Sequence, residues 1–492
     1  MSVSVVDPPM FYQDDFVEKF NIGWRIEEGE PEPSNPLIEP AYPWDAASPC
    51  VGHGTVTKDP IDGRFKAWVV AIADEPPQPW VVGDIDSLYT KYTQHKYDMR
   101  LVHYTSDDGV HWERAMSNAV TYPGHDRSNL VFPVECGEST YASVFIDPEE
   151  NADEPYEMFV FHNPTRMFSK EHVVPGFTEP GRGLFRYRSR DGVTWRPVEG
   201  PRRFYEDGDG LYVFRTPQNT YEIHQKIGID AFPGGILHYD CYPGGSRTMW
   251  RRTSEDGSNW SERYPIQLPT WRDRPADQFM DLGYHPYGEG IIAINTIYHA
   301  VDQTLDPVFA ASPDGKKWWR PSTRPCIGLA PLGDMASGMI WMTRELVRDG
   351  DRVHLYYGAT DGVHGDVHAR TDNQFMFYGV MCRASWRVGR MWAAVPASGG
   401  AIEARMTTKL CETAGKRLCM NAVTVRDGAV SVELLDEELQ PLPGYGRDDV
   451  SVFHGDDQRA IVSWGCKDTI DAKAAHVRFY LKRARLYGCQ LV

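Results

Sequence analysis

Apolar residues in this chain fall in short runs of four to eight positions, broken by Gly, Pro, Asp and Asn. That is the signature of many short strands. Strand-like runs occur at Gly54 to Thr57, Phe65 to Ala71 and Arg100 to Tyr104, then at Ala142 to Ile146, Tyr156 to Phe161 and Leu184 to Arg188. A third set is Leu211 to Phe214, Tyr221 to Gln225 and Arg247 to Arg252, and a fourth is Gly283 to Pro286, Gly290 to Ile297 and Val308 to Ala311. A fifth set runs through Gly338 to Met342, Val353 to Tyr357 and Phe377 to Cys382.

One turn punctuates these sets. Ser106-Asp107-Asp108-Gly109-Val110-His111-Trp112 recurs as Ser189 to Trp195, Ser254 to Trp260 and Ser312 to Trp318, in the pattern Ser-x-Asp-Gly-x-x-Trp. Asp-Gly is a turn dipeptide in which Gly supplies a positive φ, and the Ser and Asp side chains can cap backbone N–H groups. The Trp then serves as an apolar plug between neighbouring sheets, which predicts four largely buried tryptophans. The copies start roughly 60 to 80 residues apart, a spacing that suits four-stranded blades. The fifth set ends in Trp386-Arg387-Val388-Gly389-Arg390, where the Asp-Gly is lost.

The expectation is therefore an all-β chain with a five-bladed β-propeller over residues 50–397. Residues 1–49 would pack on it, wrapping the outside or closing the ring. After Ser398-Gly399-Gly400 the repeat stops. Runs at Met406 to Leu410, Leu418 to Val423, Val430 to Leu435, Ala460 to Trp464 and Val477 to Leu481 alternate, so 398–492 reads as a C-terminal antiparallel β-sandwich.

Composition narrows the function. With 41% hydrophobic residues the chain can bury a large core and is not a disordered one. The net charge of −18 and the lack of a basic run argue against nucleic acid as a partner. No apolar stretch has the length of a membrane span, and Met1 to Gln13 lacks the features of a secretory leader, so no membrane partner and a cytoplasmic location are expected. The nine cysteines show no CxxC pair or zinc spacing, and no cofactor is expected.

Arg64-Phe65-Lys66-Ala67-Trp68, the repeated turns and Tyr356-Tyr357-Gly358-Ala359-Thr360-Asp361-Gly362 together resemble the bacterial glycosyl-hydrolase-32-like proteins. These lie within the five-bladed furanosidase superfamily of invertases, arabinanases and xylosidases. The turn also resembles the Asp-box of sialidases, one residue shorter. The resemblance implies acids at the starts of the innermost strands around an axial funnel. An invertase-like Trp-x-Asn-Asp-Pro-Asn-Gly motif and a clear Arg-Asp-Pro are absent. Glu135-Cys136 looks like the invertase Glu-Cys acid but falls in the second unit rather than the third.

Glycoside hydrolysis needs one carboxylic acid to protonate the leaving oxygen and a second carboxylate as base or nucleophile. Acids ahead of the expected inner strands are Asp45, Glu135 and Glu138, Asp207 and Asp209, Asp277 and Asp281, and Asp334. Glu138, Asp209 and Asp277 are preferred because they come from three successive units at matching positions, with Glu135 in reserve. One of them should be protonated near neutral pH. His53, Arg166, His299, Asp361 and His364 would hold the sugar, with Trp80 and Trp341 as stacking faces. His364, Asp366 and His368 alternate as metal ligands could, but no metal is expected. The expected partner is a carbohydrate substrate, and the chain would be a glycoside hydrolase. The alternatives are a non-catalytic carbohydrate-binding propeller and a protein scaffold.

Overall fold

The computed structural model describes residues 7–12, 15–73, 98–164, 171–178, 180–198, 209–230, 245–274, 276–288, 290–364 and 378–492. The described residues are strands, turns and short 3-10 segments, with no α-helix among them.

Three sheets are four-stranded and antiparallel, each built in chain order from its first strand to its fourth. The first group runs Thr55–Lys58, Phe65–Ala73, Asp98–Ser106 and Trp112–Arg114. The second runs Glu138–Ile146, Tyr156–Asn163, Gly183–Ser189 and Trp195–Pro197. The third runs Leu211–Arg215, Tyr221–Asp230, Gly245–Ser254 and Tyr264–Gln267. A nine-stranded sheet holds two further groups, joined only by the parallel bridge Leu305↔Met339. The fourth group is Asp277–Leu282, His285–Tyr287, Gly290–His299 and Thr304–Ser312, with Trp319 bridged to Ala311 at its outer edge. The fifth is Met339–Met342, Val347–Asp349, Arg352–Thr360 and Gly379–Arg387. Its outer edge is completed by Glu30–Pro31, which pairs with Ser385 and Ala384.

Both faces of each group are covered, which is why the second strand Phe65–Ala73 is buried at all nine positions. Trp68 and Val70 pack with Val144 and Met158 of the second group. Phe159 and Phe161 pack with Val213 and Phe214 of the third, and Met249 and Ile266 with Phe279 and Ala293 of the fourth. Ile294 and Phe309 then meet Ile340 and Leu355 of the fifth, and Tyr356 returns to Phe65 and Tyr104 of the first.

The repeated turn is the fastener of this series. In each copy the Ser Oγ accepts from the Gly N–H and the Asp Oδ1 accepts from the next two N–H groups, as in Gly109 N to Ser106 at 2.9 Å and Val110 N to Asp108 at 2.8 Å. The glycines have φ between +70° and +73°. Each turn docks on the second strand of the preceding group, so a Cβ at Gly192 would lie 2.9 Å from Trp68 and one at Gly257 3.0 Å from Phe159. The first turn docks on the fifth group, where the Tyr356 hydroxyl donates to Gly109 O at 2.9 Å. Trp112, Trp195, Trp260 and Trp318 are half-buried rather than largely buried. One face of each plugs the junction, and the indole N–H of Trp112 and of Trp318 is spent on the Gly O of its own turn.

Several expected boundaries move. The fourth inner strand begins at Asp277 instead of Gly283, and the second at Glu138 instead of Ala142. Leu418 to Val423 and Val430 to Leu435 belong to one strand, Leu418–Leu435, whose register breaks between Thr424 and Ala429. It pairs along most of its length with Ala474–Leu491. The sheet containing these two is eight-stranded and takes in Phe16–Phe20, Ile22–Ile26 and Trp392–Pro396. Residues 16–26 thus serve the C-terminal sheet, because Ile22–Ile26 hydrogen-bonds to Trp392–Pro396.

Candidate functional site

The inner strands converge, and Arg344 shows where. Its backbone N–H donates to Gly54 O at 2.8 Å, and its guanidinium donates to Val213 O at 3.0 Å and Val144 O at 3.2 Å. A Cβ added to Gly283 would lie 2.8 Å from its carbonyl oxygen. Arg344 therefore bonds the second and third groups through its side chain and the first through its backbone, and its carbonyl packs on the fourth.

The layer on the strand-start side of Arg344 is polar and tightly enclosed. His53 precedes the first inner strand with φ +48°, a left-handed conformation uncommon outside glycine. Tyr141 has φ +55° and sits at a register break between Thr140 and Ser143. The two rings stack at 4.4 Å, and Trp341 meets His53 edge-on at 4.7 Å. Asp281 follows a second register break, between Phe279 and Asp281. Bulges of this kind re-aim side chains and gather next to active sites, as strained residues do. Asp281 Oδ2 ends 3.9 Å from His53 Nε2, with the side chains 1% and 5% exposed.

Lys226, on the second strand of the third group, reaches this layer. Its stem passes over Gly210, where a Cβ would come within 2.8 Å of Lys226 Cε, and its ammonium pairs with Asp209 at 2.7 Å. Burial is the main cause lifting the Asp281 carboxyl to about 7, with the Lys226 charge opposing and the Asp209 charge adding to the rise. Burial also drops His53 to about 3, with Lys226 acting in the same direction. Near neutral pH this layer thus presents a neutral imidazole and a carboxyl that exchanges its proton. Both His53 nitrogens and the Tyr212 hydroxyl are buried without a hydrogen-bond partner among the described residues, and the Asp281 carboxyl has only the Thr296 hydroxyl beside it, which acts against the rise caused by burial. Each such group costs about 1–3 kcal/mol. Polar atoms left unsatisfied together mark a place where a polar guest fits.

The expected site residues divide. Asp209, His53 and His364 come together with Asp281; the His364 ring lies 5.8 Å from that of Trp341, and its charge is felt at His53. Glu138 heads the second inner strand and is buried opposite Asn163. Asp277, the preferred acid of the fourth unit, is instead engaged by His299 at 2.7 Å, and His299 also bonds Asp306 at 3.1 Å. Burial opposes charge on His299, but the two carboxylates outweigh it and raise it to about 9. That clamp spends both His299 ring nitrogens on Asp277 and Asp306. Glu135 lies exposed in the turn Val134–Cys136. Asp361 is exposed and accepts from Tyr378 N at 2.7 Å, a loop-holding role. Asp45 is buried under Arg114 and the Ala41 and Tyr42 N–H groups, and Asp334 is exposed. Arg166, Asp207, Trp80, Asp366 and His368 lie outside the described residues. Lys226, Tyr141, Tyr212 and Arg344 carry no motif; only the pairing and packing of their strands brings them together.

Among the described residues no group of three or more His, Cys, Asp and Glu is arranged to hold a metal. No helix among them is long and apolar enough to cross a membrane.

No family model matches the chain. No curated protein matches it either. Among solved structures it is similar to a β-1,2-mannobiose phosphorylase from Listeria innocua in complex with β-1,2-mannobiose, at 12% identity over 76% of this chain and 98% of that one, TM-score 0.45. An N-acetylgalactosamine deacetylase from F. plautii is similar at 13% identity over 76% and 97% of the two chains, TM-score 0.45. A family 43 arabinoxylan arabinofuranohydrolase from Bacillus subtilis is similar at 12% identity over 93% and 97%, TM-score 0.42. Likeness at this level leaves the chemistry to be read from the residues themselves.

Proposed function

We propose that the five strand groups are the blades of a five-bladed β-propeller over about residues 50–390. Behind it stands a β-sandwich formed by the C-terminal strands with residues 16–26. We further propose that the protein is a glycoside hydrolase acting at the propeller axis. The observation that carries this reading is the convergence of Asp209 and Asp281, from successive groups, around His53 and Lys226.

In this account Asp281 is the general acid. Its proton passes to the glycosidic oxygen as the bond from that oxygen to the anomeric carbon breaks. Water supplies the new oxygen at that carbon, and its proton restores the carboxyl pair. Asp209, held by Lys226, is the second carboxylate, acting as base or nucleophile. A carboxyl held near 7 suits a donor that must be protonated at neutral pH yet able to release its proton. Neutral His53 can both donate to and accept from sugar hydroxyls, while Tyr141 and Trp341 present apolar faces beside it.

The test is a screen of aryl glycosides and oligosaccharides, followed by Asp281→Asn and Asp209→Asn on the substrate found. Turnover lost in both variants with folding retained is the expected result. Sugar binding with no turnover on any substrate would favour the carbohydrate-binding alternative.

A further inference from the structure

Lys226 is an unusual residue for the middle of a strand. It lies on Tyr221–Asp230 between buried Gln225 and Ile227, and its own side chain is 11% exposed. A lysine normally lays its stem on apolar surface and keeps the ammonium in water. Here a glycine provides the way in. The Lys226 N–H donates to Gly210 O at 2.7 Å, and a Cβ at Gly210 would lie 2.8 Å from Lys226 Cε and 2.9 Å from Lys226 Cβ. Gly210 thus clears the stem, and the adjacent Asp209, 39% exposed, takes the ammonium at 2.7 Å. Taking an ammonium out of water is costly, and a carboxylate that is itself partly in water returns little of that cost. As a fastener of the fold the pair is poor.

Among the described residues, the groups that face Asp281 are His53 from the first strand group, Tyr212, Lys226 and Asp209 from the third, and Thr296 from the neighbouring strand. Burial keeps His53 and Tyr212 uncharged near neutral pH. Arg344, a second buried cation nearby, bonds Glu345 at 2.6 Å and two backbone carbonyls. Lys226 and Asp209 are therefore the charges that act on the Asp281 carboxyl, and they act with opposite signs. We propose that Lys226 is a positioning residue that divides the roles of the two acids: its ammonium fixes Asp209 as the charged partner and makes Asp281 able to release its proton at neutral pH. The names acid and base rest on the hydrolase reading, but the division of charge rests on this geometry. Without Lys226 the Asp209 carboxylate is uncompensated, and Asp281 holds its proton to higher pH. Without Asp209 the ammonium acts alone, and Asp281 gives its proton up at lower pH.

Infrared titration of the Asp281 carbonyl band, identified by its loss in Asp281→Asn, tests this without any substrate. Lys226→Met replaces the ammonium by an apolar side chain of similar shape, and Asp209→Asn removes the opposing charge. The midpoint should rise by about one pH unit in Lys226→Met and fall by about half a unit in Asp209→Asn, with the double variant between them. Lys226→Met should fold, because water can reach Asp209 in place of the ammonium; if it does not, the Asp209→Asn midpoint decides. A midpoint unchanged or lowered in Lys226→Met, one unchanged or raised in Asp209→Asn, or no Asp281 band to titrate would overturn the proposal. On a confirmed glycoside, the alkaline limb of kcat/KM should move with the band in Lys226→Met. Band shifts of the expected signs with no turnover on any substrate would sink the hydrolase reading and leave the division of charge standing. Turnover that needs Asp281, with a midpoint indifferent to Lys226, would do the reverse.

Discussion

Asp277 and Asp281 stand four residues apart on one strand, yet they live in opposite electrostatic worlds. Asp277 is gripped by a His299 that also bonds Asp306, and the histidine is held charged up to about 9. Asp281 has no charged group bonded to it, only the Thr296 hydroxyl beside it, and is held up to about 7 by burial. A charged, hydrogen-bonded cluster such as that around His299 stabilises the fold even though Asp306 Oδ1 is left without a partner. A buried carboxyl with no counter-charge bonded to it instead costs stability once it ionises. The register break between the two makes the difference, turning Asp281 toward His53 while Asp277 stays in register with His299.

The comparison predicts opposite signs for matched substitutions. Asp281→Asn should show the largest effect, lowering kcat/KM by about 10²–10⁴-fold on a confirmed glycoside. The same variant should be more stable than wild type at pH 8. The folded carboxyl binds its proton more tightly than the unfolded one, so wild-type stability falls as pH rises from 3.8 through about 7. Removing the charge should recover stability on the order of a few kcal/mol above that window and little below it, as thermal melts at pH 5 and pH 8 will show. A melting temperature lowered equally at both would break the distinction between the two aspartates.

Asp277→Asn should act in reverse. It takes one carboxylate from a charged, buried histidine and should destabilise by about 1–3 kcal/mol. His299 has a raised folded value, so its stabilisation is full below pH 6.5 and disappears as pH climbs through about 9. The loss caused by Asp277→Asn should therefore be clear at pH 6 and nearly absent at pH 10. Turnover should change far less than in Asp281→Asn. Equal loss of turnover in both variants would erase the contrast.

A smaller effect is expected at the repeated turns, away from both clusters. Trp112→Ala should cost about 1–3 kcal/mol, below the 3–5 kcal/mol of a fully buried tryptophan, because Trp112 is half-buried. Smallest of all, Glu135→Gln should leave turnover unchanged and stability within about 0.5 kcal/mol, since the side chain is exposed in its turn.

The repeated turn was legible from residues because its physics is local: Ser, Asp and Gly bond within seven positions wherever they occur. The strand groups followed from the spacing of those turns. Much of the site was not legible, because it depends on two bulges and on left-handed backbone at His53 and Tyr141, which are properties of pairing and packing. Placing the fourth inner strand at Gly283 left Asp277 and Asp281 alike as acids ahead of it, and only the observed start at Asp277 puts both within the strand. Lys226, Tyr212 and Arg344 sit mid-strand or just past a strand end in ordinary sequence, and only the convergence of distant strands brings them together. The N-terminal strands joined the C-terminal sheet through long-range pairing with Trp392–Pro396, which no local pattern announces.

The central claim is that Asp281 carries a proton at the axis at neutral pH. Infrared difference spectra of the wild-type protein, titrated from pH 5 to pH 9 and compared with Asp281→Asn, measure this directly. A carboxylic-acid carbonyl band that disappears with a midpoint near 7 in wild type and is absent from the variant is the predicted result. A band unchanged by the substitution, or one that has vanished by pH 5, would show that Asp281 is an ordinary carboxylate and would contradict the account.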